Sequence, residues 1–127
     1  MVWNFRSDLP IYAQLVEQIR LRIVSGSFLP GERLQSVRDM AAEAGVNPNT
    51  MQRALQELER EGMVYSQRTA GRFVTENMSV IEQAKHRFAE EQIRSFLQAM
   101  GKLGYQRGEI LAMLEERERE EHADTGM

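Results

Sequence analysis

Two short helical stretches joined by Gly45-Val46-Asn47 constrain this chain more than any other feature. Ser36 can cap a helix that begins at Val37, with Asp39 at its third position to answer the cap. Val37, Met40, Ala41 and Ala44 then share one compact inner face. Gly45 ends that helix, because glycine enters the left-handed conformation without a side-chain penalty. Val46 points inward from the turn. Asn47 caps the next helix, and Pro48 suits a first helical position, where an N–H is not needed. Met51, Ala54, Leu55 and Leu58 form the buried side of this second helix. Asn49, Thr50, Gln52, Arg53 and Gln56 are left on its outside or margins, and Gly62 stops it.

The flanking segments complete a small domain. Ile11, Leu15, Ile19 and Ile23 repeat every four residues, which predicts a helix over 10–24 closed by Ser25-Gly26. Pro30-Gly31 marks a turn, and Arg33-Leu34 is long enough only for a small strand. Residues 63–67 and 72–75 read as two strands around a short loop, with Tyr65 bracing the pair and Phe73 in the core. The expected fold is mainly α with a small β-wing: a winged helix-turn-helix over residues 1–76. A two-helix dimerisation tail follows over 77–121, and 122–127 is expected to be disordered.

In that tail, Ile81, Ala84, Phe88, Ile93, Phe96, Leu97 and Met100 mark one long amphipathic helix ending near Gly101. A second starts near Gln106 or Arg107 and has Ile110, Leu111 and Leu114 on its apolar side, with charge dominating from Glu115 onward. Two helices of this size cannot enclose a deep effector cavity. Their stripes need either the first domain or another copy of the chain, and Ile81, Phe88, Phe96, Leu97, Ile110 and Leu114 are the interface candidates.

Composition excludes several chemistries. There is no cysteine, so disulfides, zinc–thiolate sites and cysteine nucleophiles are out, and a cytoplasmic setting is expected. No apolar run approaches membrane-spanning length, and the polar opening does not resemble a secretory signal. His86 and His122 lack ligand or triad companions, so neither catalysis nor a metal or cofactor is expected. Net charge is -3, but it is unevenly spread. Residues 1–74 hold nine arginines against eight acids, while 75–127 hold seven basic residues against eleven acids. The acidic excess thus lies in the tail, where distance and salt weaken its repulsion of a polyanion.

The outward face of the second motif helix suits double-stranded DNA. A helix fits the major groove, where Asn and Gln pair with adenine and Arg with guanine. Asn49, Gln52 and Arg53, with Gln56 beyond them, are the candidate readers. Asn47 and Thr50 fit phosphate positioning, although Asn47 has a second use as a cap. Arg38 can hold a phosphate or pair with Asp39 or Glu43. Arg68 and Arg72 bracket the expected wing tip, with Thr69 between them; backbone or minor-groove contact and an ordinary charged hairpin both fit. Arg6, before the first helix, is a weaker candidate. A winged domain that binds protein rather than DNA is the alternative of a different class.

The chain resembles the GntR family of bacterial transcription regulators. The likeness runs through Pro10 to Leu15, Gly26, Leu29-Pro30-Gly31-Glu32-Arg33-Leu34 and Ser36-Val37-Arg38. It continues in Val46, Asn49-Thr50, Ala54-Leu55, Leu58, Glu61-Gly62 and Gly71 to Val74. Leu103-Gly104-Tyr105 followed by Glu109-Ile110 is similar to the short tail of the YtrA-type subfamily. The resemblance implies a homodimer held by the tail, Arg38 and the recognition-helix start as DNA contacts, and repression of neighbouring ABC-transporter genes at a roughly palindromic operator. Departures are Gln35 for a recurrent Pro, Asn47-Pro48 for a Ser-Arg pair, Gln52 for a basic reader, Thr69 for Gly and Arg72 for Thr. Larger relatives carry effector domains; here a small-molecule effector would have to bind between subunits.

Overall fold

The computed structural model describes residues 2–125. Helix α1 (Ile11–Val24) starts directly after Pro10, which stands at the cap rather than inside the first turn. Helix α2 (Val37–Ala44) opens with Ser36 Oγ accepting from the Asp39 N–H at 3.1 Å. It closes on Gly45 at φ 72°, the left-handed value that ends a helix and turns the chain. Helix α3 (Pro48–Arg60) follows at once, with Asn47 Oδ1 accepting from the Asn49 N–H at 2.8 Å. Strands β1 (Val64–Gln67) and β2 (Gly71–Val74) pair antiparallel with Tyr65 opposite Phe73 and Ser66 opposite Arg72. The small strand expected at Arg33-Leu34 is a single bridge from Arg33 to Phe73.

Leu15, Ile19 and Ile23 of α1, Met40 and Ala41 of α2, and Met51, Leu55 and Leu58 of α3 meet in one core. Each face follows from the three-to-four-residue spacing of its apolar positions. Phe73 is half-buried rather than core and stacks on Tyr65 with ring centroids 5.6 Å apart. Arg20 of α1 clamps Glu61 at the end of α3: Nη2 donates to both carboxylate oxygens at 2.7 and 2.8 Å, and Nε to one of them at 3.0 Å. Both side chains are about three-quarters buried, where screening is weak, so the pair fixes where α3 ends against α1. The segment before α1 is also held. The Gln14 amide bonds the Arg6 backbone N–H and carbonyl at 2.7 and 2.9 Å, and Gln18 donates to the Asn4 carbonyl at 2.6 Å. Arg22 lies 3.6 Å over the Trp3 ring, and burial lowers its pKa.

Helix α4 (Met78–Lys102) is continuous, and helix α5 (Arg107–Thr125) follows a turn at Gly104, φ 96°. The chain forms two compact units, one ending at His86 and the other starting at Arg87. Ile81 and Ala84 belong to the core of the first unit, 4% and 1% exposed. Ile81 is therefore not an exposed interface residue, contrary to the expectation from sequence. In the second unit Ile110 is likewise 4% exposed, covered within its own chain. Phe88 and Leu97 are half-buried, whereas Phe96 and Leu114 are exposed. Ile93, Leu111 and Met113 are exposed as well.

Of the segment 122–127, for which disorder is expected, residues 122–125 continue α5. Arg119 pairs with Glu116, and Arg117 with Glu121, one turn apart along the helix. Residues 126–127 lie outside the described residues. The chain's two lysines, Lys85 and Lys102, both stand exposed on α4. No described helix is long and apolar enough to cross a membrane.

Candidate nucleic-acid interface

The face of α3 opposite the core presents Asn49, Gln52, Arg53 and Gln56. Met51, Ala54, Leu55 and Leu58 take the inner positions of the helix period, so Asn49, Arg53 and Gln56 fall outside, exposed, and Gln52 is half-buried at the margin. Asn47 is committed through its carbonyl oxygen to the Asn49 N–H, which is the capping use. Thr50 is half-buried at the same end of the helix. Arg38, the second residue of α2, is exposed and makes no ion pair with Asp39 or Glu43 among the described residues. That leaves its charge available.

Arg53 is not a free side chain. Its guanidinium lies 4.4 Å over the ring of Tyr12 near the start of α1, an arrangement that fixes a cation by the ring's negative face. Tyr12 is itself half-buried against the core. The pairing joins positions 41 residues apart on two helices, which no local spacing signals.

The wing separates its two arginines. Arg68 and Thr69 are exposed in the turn between the strands, where the Ala70 N–H bonds the Gln67 carbonyl at 3.1 Å. Arg72 does not sit at that tip. It is half-buried on β2 and donates through Nη1 to Gln52 Oε1 at 3.4 Å, tying the wing to α3. The expected tip pair is therefore one tip residue and one residue in the crease between wing and helix.

Arg33 adds a cation that sequence reasoning passed over. Gly71 has φ +106°, and a Cβ there would stand 3.2 Å from Arg33 Nε. Arg33 thus lies along β2 toward the turn that closes the wing, beside a glycine whose φ lies in the left-handed region. Its bridge to Phe73 is the only hint, and a two-residue strand is too short to read from pattern. Arg6, by contrast, is turned onto Asp8 at 2.7 Å. Among the described residues no group of acids or histidines is placed to hold a metal ion.

Arg38, Arg53, Arg68, Arg72 and Arg33 supply fixed positive charge around a helix whose outer edge carries amides. Such an arrangement can hold backbone phosphates while amides and guanidinia meet base edges. Comparison with known proteins gives the same direction. The bacterial regulatory proteins of the gntR family match residues 11–74. The uncharacterized HTH-type transcriptional regulator YhcF of Bacillus subtilis is 40% identical over 108 residues, covering 85% of this chain and 89% of that protein. The HTH-type transcriptional repressor YtrA of the same organism is 36% identical over 93 residues, 72% of each chain. A GntR family transcriptional regulator structure from Listeria monocytogenes superposes with TM-score 0.80 at 38% identity, covering 88% of this chain and 98% of the other.

Proposed function

Because the chain belongs to the GntR family of bacterial regulatory proteins and is a sequence-specific DNA-binding transcriptional regulator, we propose that it acts as a homodimeric repressor of the YtrA type. The function is regulatory rather than catalytic. The observation that carries the reading is the outer face of α3: Asn49, Gln52 and Arg53 are presented opposite a sealed core, with Arg38 and the wing arginines beside them. Arg38 and Arg68 serve phosphates in this reading. Asn47 sets the entry of the helix, and Thr50 and Thr69 add hydrogen bonds to the DNA backbone.

The tail supports a second copy as partner. On one side of the second unit an open cleft of about 640 Å3 is lined by Ile93, Leu97, Tyr105 and Ile110. Another, about 550 Å3, is lined by Phe96, Met100, Met113 and Leu114. Exposed apolar side chains on both helices are what a self-complementary interface buries. Of the candidate interface residues, Phe88, Phe96, Leu97 and Leu114 carry this proposal; Ile81 and Ile110 do not. A dimer places two copies of α3 on two half-sites, which makes a roughly palindromic operator the natural target. Occlusion of a promoter by that dimer gives repression, and the YtrA-type resemblance points to an ABC-transporter operon. An effector would act by favouring one spacing of the two copies.

Selection of bound duplexes from a randomised pool, at near-physiological salt, tests the DNA reading directly. A two-fold symmetric consensus is expected. Equal recovery of all sequences, with the chain a monomer at micromolar concentration and on DNA, would leave the protein-binding alternative in its place.

A further inference from the structure

Gln52 and Arg72 are the two polar side chains that face each other across the crease between α3 and the wing. Arg72 Nη1 is 3.4 Å from Gln52 Oε1. Its Nε is closed off from solvent and has no hydrogen-bond partner among the described residues. A guanidinium offers five donors and no acceptor, so it can face only the carbonyl end of an amide. Turning the Gln52 amide over would set its NH2 against donors and strip Arg72 of the acceptor it has. The carbonyl end is therefore committed to the wing, and the amino end is the one left to face outward.

That orientation has a chemical consequence for base reading. Pairing with adenine in the major groove uses both ends of a glutamine, the carbonyl on N6–H and the amino group on N7. With Oε1 turned to Arg72, the end of Gln52 left toward a base is its amino group, a donor. Guanine is the base whose major-groove edge shows two acceptors, O6 and N7, and no donor. The guanidinium charge behind the amide also favours the more acceptor-rich edge. Resting on the reading of α3 as the DNA-facing helix, we propose that the Gln52–Arg72 pair reads guanine at one position of each half-site. Arg72 is the positioning residue and Gln52 the one that touches the base. The helix residue has no charge of its own, and the cation behind it comes from β2.

Base preference measures this where stability alone does not. Duplexes selected from a randomised pool by the full chain should show guanine, favoured about tenfold or more, at a position that Gln52→Ala makes indifferent. Arg72→Met, which keeps bulk and removes the donors, should move that one position toward adenine while the rest of the consensus stands. Arg72→Lys should retain guanine. Adenine at the position that Gln52→Ala erases would overturn the proposal, as would no position responding to Gln52→Ala. So would Arg72→Met weakening all sequences equally with base preference unchanged, the mark of a plain phosphate contact. Should Arg72→Met fail to fold, Gln52→Glu decides: it keeps a partner for Arg72 and offers only acceptors, so the position should turn to cytosine, and persistent guanine would sink the idea. A wild-type chain that selects no sequence at all would instead remove the underlying DNA reading.

Discussion

Ile81 separates two accounts of α4 that its sequence leaves equivalent. The side chain is 4% exposed and belongs to the same core as α1, α2 and α3. Ile81→Ala removes three buried carbons, about 2.4 kcal/mol at ~0.8 kcal/mol per methylene. A residual cavity adds to this, and measured substitutions of the kind span about 2–5 kcal/mol. We take about 3 kcal/mol. For a chain of this size each kcal/mol moves the midpoint by roughly 3–5 °C, so Tm should fall by about 9–15 °C. Thermal unfolding of wild type and Ile81→Ala at two concentrations a hundredfold apart, with sedimentation to give mass, makes the test. Destabilisation by the same amount at both concentrations, with the association constant unchanged, is expected. Phe96→Ala is the counterpart: 41% exposed within the chain, it should change association and hardly touch the unfolding of the separated subunit. A small Tm change for Ile81→Ala together with weakened association would refute the assignment of Ile81 to the subunit core.

Asn47→Ala removes the cap on the Asn49 N–H and should cost about 1 kcal/mol, with amide exchange fastest in the first turn of α3. Gly71→Ala imposes a side chain at φ +106° and against Arg33, for a cost of about 1–3 kcal/mol. It should weaken binding to a selected duplex while far-UV circular dichroism still reports the helices. The Arg60 guanidinium, by hydrogen bond and charge, holds the Glu57 carboxyl below its ordinary value of 4.5. Since the folded pKa is the depressed one, the pair's contribution is present above 4.5 and lost as pH falls through the lower folded value. Carbon-13 titration of Glu57 should show the low value in wild type and its return toward 4.5 in Arg60→Ala.

The helix-turn-helix was legible because its punctuation is local. Ser36, Gly45, Asn47 and Pro48 each act within three residues, and the structure uses each where its chemistry requires. Periodicity gave the inner and outer faces of α3 for the same reason. What it could not give was which body an apolar stripe meets. Ile81 and Phe96 both fit an amphipathic helix, yet one is sealed in the first unit and the other is exposed. Nor does spacing reveal side-chain partners across elements. Arg53 over Tyr12 and Arg72 on Gln52 depend on where α1 and the wing flank α3. The charged stretch from Glu115 carries no apolar period, yet acids and arginines spaced three and four apart pair along α5 between Glu116 and Glu121.

Both lysines of the chain stand on α4, and every basic side chain before Thr75 is a guanidinium. The consequence is one of reactivity. Among side chains, acetyl donors and amine-directed labels can address only Lys85 and Lys102, leaving the arginines around α3 and the wing unmodified. A dye or surface tether placed through those amines marks the long helix and spares the recognition face.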